Sequence, residues 1–344
     1  MEKDLKDLTL PQLEALTAAL GQKNFIARYI FTFIHQKAAS DIDHLTTLSK
    51  PFRAQLASQG YYISHLTTVE KFTDPDGTIK YLFELPDSNR VESVVLFDEK
   101  RTTLCLSTQA GCAMNCVFCA TAKIKFKRNL SAAEIADQLY IVEKDGCKVT
   151  NLVYMGMGEP MQNYDNVIRS VAIINSSHGR NLGIRHITLS TCGIPDKIDA
   201  LANEDLQPRL AVSLNAPIDS IRSQLMPVNE KYPIQTLLAS VIKYQLKTGQ
   251  RVTFEYVMLK DLNDSANHAQ RLIKILKPIK CNVNLIEYNP HPACRLQPSP
   301  PEKIKNFAQI LNDAGIETVI RFKRGRTIKA ACGQLGATWL TPEI

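Results

Sequence analysis

Apolar residues recur at helical spacing between Lys23 and Gln36, at Phe25, Ile26, Tyr29, Ile30, Phe33 and Ile34. That spacing predicts an amphipathic helix with these six on its buried stripe. Leu45 to Ala57 continues in short helical pieces, and Pro51 suits a first helical turn. Residues 1–60 therefore read as a small helical module that reaches to about residue 70. The pattern then changes. Asp74, Pro75, Asp76 and Gly77 signal a turn, Ile79 to Leu85 reads as a strand, and Pro86 to Asn89 signals a second turn. Val91 to Phe97 and Thr103 to Ser107 read as two further strands.

From Thr103 onward strands and helices alternate. The strand-like runs are Leu152–Met157, His186–Ser190, Leu210–Leu214, Val252–Leu259, Val283–Tyr288 and Glu317–Phe322. Between them lie helical runs at Ala132–Lys144, Asp165–Ser176, Pro195–Ala202, Ile234–Lys247, Asn267–Leu276 and Glu302–Ala314. Repeated strand–helix units predict an α/β fold with a parallel sheet and helices outside it. About six units suit a barrel or partial barrel, with chemistry at the carboxyl ends of the strands. The Pro-rich stretch Pro290–Pro301 reads as a long strand-to-helix loop. The resulting division is a helical module over 1–70, a β extension over 71–97 and a barrel over 98–344.

Composition narrows the class. The 344 residues are 44% hydrophobic and 22% charged, which excludes a mostly disordered chain. The net charge of +7 leans toward polyanionic partners, although many proteins carry such a charge for solubility alone. No apolar run reaches the roughly 18–20 residues of a membrane helix. The N-terminus, MEKDLKDLTL, lacks the apolar core of a signal peptide. A cytosolic location is expected, and nine cysteines there need another explanation than a disulfide framework.

Three of them supply one. Cys112, Cys116 and Cys119 are spaced C-x3-C-x2-C directly after the first barrel strand, with the aromatic Phe118 before the last. Three thiolates on one loop can hold three irons of a cubane and leave the fourth open to substrate, whereas ordinary ferredoxin sites use four cysteines. The competing readings are a zinc site, which needs a fourth ligand, and buried thiols packed as small hydrophobes. The glycine and polar residues of the loop argue against packing.

This loop resembles the signature of the radical S-adenosylmethionine (radical SAM) superfamily. The resemblance implies a partial (β/α)6 barrel and an open iron chelated by the amine and carboxylate of SAM's methionine. Five further stretches narrow it: MGMGEP (Met155–Pro160), ITLST (Ile187–Thr191), AVSLNAP (Ala211–Pro217), NLIEYNP (Asn284–Pro290) and AACGQL (Ala330–Leu335). Together they resemble the RlmN/Cfr family of RNA methyltransferases over nearly the whole chain, including the helical module.

Membership implies methylation of carbon 2 of adenine in 23S rRNA and in tRNA, with a 4Fe-4S cluster on three cysteines and two SAM molecules per turnover. In the family's pattern Cys332 is the methyl carrier and Cys105 the thiol that resolves its adduct through a transient disulfide. Glu92, in the run Arg90, Val91, Glu92, Ser93, Val94, is the proton acceptor. Gly158, Glu159, Ser190, Ser213, Leu214, Asn215 and Asn289 are the SAM contacts. A flavodoxin-type electron donor and a monomeric state complete the expectation. The alternatives are methylation of carbon 8 of the same ribosomal base, a non-catalytic metal- and RNA-binding protein, and a radical SAM enzyme acting on a non-RNA substrate. Pro160 leans toward carbon 2, and the presence of both Cys105 and Cys332 argues against a binding module.

Two departures stand out. Asn215 occupies a position where the family commonly has His; it keeps a hydrogen bond but cannot carry charge. Arg321, Lys323, Arg324, Arg326 and Lys329 replace a commoner acidic run before AACGQL. With Lys123, Lys125, Lys127 and Arg128 they could line an RNA-facing rim. Cys192, after the third barrel strand, reads as an inert free thiol.

Overall fold

Six strand–helix units in parallel pairing are what the alternation demands. The computed structural model of the chain, which describes residues 3–321 and 323–340, has them within a larger mixed sheet. Its ten strands are β1 (Thr67–Thr73), β2 (Ile79–Glu84), β3 (Arg90–Asp98), β4 (Arg101–Cys105), β5 (Asn151–Tyr154), β6 (Ile187–Thr191), β7 (Arg209–Ser213), β8 (Val252–Met258), β9 (Cys281–Glu287) and β10 (Thr318–Arg321). They lie side by side in chain order, so β1 and β10 are open edges and the barrel is partial. β1 to β4 pair antiparallel as a meander. β4 to β10 pair parallel. The barrel therefore has all the strand-like runs expected from Thr103 onward: β4 to β9 form the six strand–helix units, and β10, the run expected at Glu317–Phe322, closes the row as a seventh strand.

The helices are α1 (Leu10–Ala19), α2 (Asn24–His35), α3 (Lys50–Ser58), α4 (Ala132–Lys144), α5 (Tyr164–Asn175), α6 (Pro195–Leu201), α7 (Asp219–Leu225), α8 (Val228–Lys231), α9 (Ile234–Thr248), α10 (Ala266–Leu276) and α11 (Pro301–Asp313). Local chemistry fixes several ends. Ser131 and Glu134 form a reciprocal capping box at the start of α4, and Gly249, in the left-handed region, closes α9. No helix among the described residues is long and apolar enough to cross a membrane.

Some expectations are corrected. β1 begins at Thr67, inside the stretch read as helical. β5 stops at Tyr154 rather than Met157, because the chain turns through Gly158 at a φ of 101°. The short helices α7 and α8 carry too few residues, beside Pro217 and Pro227, to show a period. On α2 the buried stripe is Ala27, Ile30, Phe31 and Ile34, while Phe25 and Tyr29 stay about half exposed at 48% and 47%. Phe31 wins the core position by packing on His35, and His35 on Tyr140 of α4. Phe322, the end of the last expected strand, lies outside the described residues.

The helical module is tied to the barrel by a buried ion pair. Lys6 Nζ lies 2.6 Å from Asp137 Oδ1 on α4 and donates to the Ser64 carbonyl, with both side chains almost fully enclosed. The other Asp137 oxygen accepts from the Leu66 N–H at 2.7 Å. Burial raises the Asp137 carboxyl, but the His65 hydrogen bond and the Lys6 charge outweigh it and hold the carboxyl below its usual range. A depressed folded value stabilises the fold above the unfolded carboxylate range, near about pH 4, and that stability is lost as pH falls through the folded value. Asp137→Ala, which strands the buried Lys6 charge, is expected to destabilise by about 3–5 kcal/mol at pH 7. Urea midpoints compared at pH 7 and pH 3 should show the gap between the two proteins shrinking in acid.

Candidate active site

Because successive strand residues face opposite sides, the register assigns every site residue to a face. Lys80 pairs with Val94, Val94 with Cys105, Cys105 with Val153 and Val153 with Thr188. Ser190 pairs with Ala211, Ser213 with Glu255, Glu255 with Asn284 and Ile286 with Arg321. Counting in twos along each strand puts Lys80, Glu92, Cys105, Ser190, Ser213, Glu255, Asn284 and Arg321 on one continuous face, the barrel lumen. The opposite face is packed under helices: Ser93 reaches Gln138 of α4, and Phe254, Tyr256 and Met258 are fully buried.

The cysteine loop hangs on a small ribbon in which Gln109 and Ala110 pair with Asn129 and Arg128. Gly111 enters it at a φ of 77°, where a Cβ would lie 2.4 Å from the Lys125 carbonyl oxygen. The Val117 N–H donates to the Leu225 carbonyl at the end of α7. Cys112, Cys116 and Cys119 are brought together and are more enclosed than their polar loop implied. Burial pushes Cys112 up to about 12, and burial together with the charges of Cys119 and Cys112 raises Cys116. Among the described residues no three His, Cys, Asp or Glu side chains could hold a single metal ion. Cys112 is buried and Cys116 and Cys119 are half-buried, and three enclosed, crowded thiols suit a polynuclear cation that stabilises their charge.

Over this loop lies the C-terminal segment. The Ala120 N–H donates to the Gly333 carbonyl at 2.8 Å, and the Thr121 hydroxyl to the Leu335 carbonyl at 2.8 Å. Asn289 Nδ2 donates to the Cys332 carbonyl at 3.3 Å, and Gln334 Nε2 to the Pro290 carbonyl at 3.0 Å. Further back, Asp74 accepts from the Thr327 N–H and hydroxyl, and Asp76 from the Gly325 N–H. Cys332 is exposed to solvent, yet enclosure by protein still raises its thiol, while the Arg321 guanidinium acts the other way. Cys105 ends β4 on the lumen face, and burial followed by the charge of Cys332 pushes it up to about 12. Both cysteines are free thiols.

Glu92 is 1% exposed. One carboxylate oxygen lies 2.9 Å from Lys80 Nζ, which is equally buried, and the other accepts from the Gly336 N–H at 2.8 Å. The C-terminal segment thus closes directly onto this carboxylate.

The expected SAM contacts ring the carboxyl ends of the strands. Glu159 is buried, its oxygens accepting from the Met161 and Cys192 N–H groups, and burial raises its carboxyl. Gly158 leaves no room for a Cβ, which would lie 2.5 Å from Gln109. Ser190 and Ser213 are half-buried, while Leu214 is fully buried, its N–H donating to the Glu255 carbonyl and its carbonyl accepting from Arg222. Asn215 sits at a φ of 58°, a region that Asn and His tolerate better than other residues with a side chain. Its Oδ1 accepts from the Val257 N–H at 2.8 Å and its Nδ2 contacts Met226 Sδ. Most of the hydrogen-bonding capacity expected to face SAM is therefore engaged within the protein. Cys192 is buried with its sulfur 3.2 Å from Met114 Sδ.

Three features were missed. Lys80 reads in sequence as an ordinary strand lysine; only its pairing opposite Val94 brings it to Glu92. Arg222, fully buried on α7, donates to the Leu214, Cys192 and Ser213 carbonyls and to Asn229 Oδ1, binding the ends of β6 and β7 together. Phe126 stands 42% exposed among Lys123, Lys125 and Lys127. The basic rim is smaller than its sequence. Arg128 pairs with Glu134 and Asp87, Lys323 with Glu287, and Arg324 reaches Asp98 and the Phe97 carbonyl.

Removing Lys80 would leave Glu92 as an uncompensated buried charge. Lys80→Met is expected to cost about 3–5 kcal/mol, and Lys80→Met with Glu92→Leu to recover most of it. Denaturant midpoints of the two single variants and the double variant measure this.

Residues 106–273 match the family described as the radical SAM superfamily, and residues 3–61 match a ribosomal RNA large subunit methyltransferase N-terminal domain. The chain is 45% identical over 335 residues, 97% of each chain, to the probable dual-specificity RNA methyltransferase RlmN of Thermotoga neapolitana. It is 41% identical over 338 residues to the dual-specificity RNA methyltransferase RlmN of Syntrophobacter fumaroxidans, covering 97% of this chain and 98% of that one. The crystal structure of a radical SAM methyltransferase from Sphaerobacter thermophilus superposes with a TM-score of 0.91 at 44% identity, over 97% of this chain and 99% of that one. With both parts of the chain matched and identity sustained over nearly its full length, the chain belongs to the RlmN family of radical SAM RNA methyltransferases.

Proposed function

We propose that the chain methylates carbon 2 of adenine in RNA, in large-subunit ribosomal RNA and in tRNA, using Cys332 as a methyl carrier. The observation that supports this most is the meeting of Cys332, from the far end of the chain, with Cys105 and Glu92 of two neighbouring strands at one lumen. Carbon 2 lies between two ring nitrogens and is too electron-poor to attack a sulfonium methyl. Cys332 can: its thiol loses a proton and displaces S-adenosylhomocysteine from a first SAM, forming the S–CH3 bond. Cys112, Cys116 and Cys119 would hold a 4Fe-4S cluster, which when bound supplies the electron that splits a second SAM into methionine and a 5′-deoxyadenosyl radical.

The carried methyl group loses a hydrogen atom to that radical and adds to carbon 2, joining the base to Cys332. Glu92 accepts the proton of carbon 2. The radical adduct gives up one electron, which the cluster, when bound, would take back; Cys105, as thiolate, then attacks the Cys332 sulfur, a disulfide forms, and the base leaves and takes up a proton. A thiol reductant then resets the disulfide. Glu159 complements the SAM ammonium, and Gly158, Ser190, Ser213, Leu214, Asn215 and Asn289 line the rest of its seat. The exposed Lys123, Lys125, Lys127 and Arg326 take RNA phosphates, and Phe126 offers a stacking face. In this reading 1–70 is an accessory RNA-binding domain, 71–97 delivers Glu92, and 98–344 is the catalytic barrel. A flavodoxin-type protein donates electrons to a cytosolic monomer.

Anaerobic turnover of the reconstituted protein with SAM and unmodified RNA, read by nucleoside mass spectrometry, tests the proposal. The expected product is 2-methyladenosine, absent in Cys332→Ala. Cys105→Ala should instead accumulate a covalent protein–RNA adduct. An 8-methyladenosine product would keep the carrier and overturn the position.

A further inference from the structure

Glu255 has no part in the chemistry above, yet it lies in the middle of the lumen wall. On β8 it stands between Ser213 of β7 and Asn284 of β9, on the face that carries Cys105. It is 4% exposed. Oε1 accepts from Asn284 Nδ2 at 2.8 Å and has Arg321 at 3.5 Å. Oε2 is buried and has no hydrogen-bond partner among the described residues. A buried carboxylate oxygen without a donor is costly, and native folds rarely keep one unless a ligand satisfies it. Glu255 lies on the lumen face it shares with Cys105, near enough to Cys332 for its charge to raise that thiol, so the carboxylate belongs to the part of the lumen where the proposed target base would lie.

We propose that Glu255 Oε2 accepts a hydrogen bond from the exocyclic amine of the target adenine and selects that base. The inference rests on the proposed RNA methylation. The amine is carried by the ring carbon two bonds from carbon 2, so a base that offers carbon 2 to Cys332 brings an N–H donor to the same part of the lumen. Inosine presents an oxygen at that position, and acceptor would face acceptor. Asn284 and Arg321 hold Oε1 and leave Oε2 as the acceptor without a donor. Sites built to hydrogen-bond a substrate group reject analogues lacking it, because their own buried partner is then left unpaired.

The test pairs protein and base substitutions. Single-turnover methyl transfer is measured on three short RNA hairpins carrying adenosine, purine riboside (no amine) or inosine at the target. The proteins are wild type, Glu255→Met and Glu255→Gln, all with a reconstituted cluster. SAM affinity and methylation of Cys332 are measured alongside as readouts that need no RNA base. The wild type should favour adenosine over purine riboside by about 10–100-fold, with inosine worst. Glu255→Met should bring adenosine down to the purine riboside rate while leaving that rate, SAM affinity and Cys332 methylation in place. Glu255→Gln, which keeps an acceptor, should retain part of the preference. Equal losses on adenosine and purine riboside in both variants would overturn the proposal, as would a wild-type preference for inosine. Loss of SAM affinity or of Cys332 methylation in Glu255→Gln would assign the carboxylate to SAM instead and also overturn it. Methylation of no RNA by a wild type whose Cys332 is methylated would defeat the underlying RNA reading itself.

Discussion

One constraint organises the molecule: side chains alternate along a strand, and ten strands in sequential order keep one face in common. That face begins at Lys80 in the antiparallel meander and continues through Glu92 and Cys105 into the lumen. The meander is therefore part of the site rather than an appendage to it. β4 makes this work, because it pairs antiparallel with β3 and parallel with β5 and so joins two kinds of sheet without a break. A one-residue slip at that junction would send Glu92 to the helix-covered face and Ser93 to the lumen.

Polar groups at the ends of strands are held by a second device. Arg222 gathers the carbonyls of Cys192, Ser213 and Leu214, and Asn215 reaches across to the Val257 N–H. A buried guanidinium with its donors engaged stiffens the floor on which a ligand would rest. Short inter-strand loops can then carry chemistry without wandering. The left-handed backbone at Asn215 also explains why Asn and His can exchange there: both tolerate that conformation, and this chain uses the amide to brace its own backbone.

The alternation of strands and helices was legible in the sequence, because each unit is long enough to show its period. The strand ends were less so, since glycine turns such as Gly158 and the short helix α7 leave no periodic trace. Motif spacing and family resemblance singled out the three cysteines of the loop, Cys105, Cys332 and Glu92 as candidates. Their neighbours were not legible. Lys80 is one lysine among many until register pairs its strand with that of Glu92, and Glu255 looks like any strand glutamate until the lumen encloses it. Two residues of the basic tail, Lys323 and Arg324, read as free charge because their carboxylate partners, Glu287 and Asp98, are distant in sequence. On α2 the helical period was right and the buried face was not, because periodicity cannot tell which of two adjacent apolar arcs finds a partner.

The docking of the C-terminal segment bears on how the enzyme comes into being on the ribosome. Its hydrogen bonds reach back 249 residues to Asp76 and 244 residues to Glu92. Every surface that receives Cys332 is synthesised before Cys332 itself. A nascent chain can complete the sheet, cover it with helices and display the cysteine loop while Cys332 is still unmade. Cys105 and Cys332 come near one another only at the last docking step. Until then Cys105 stands alone on its strand, and a partly built chain cannot join these two thiols in a premature crosslink.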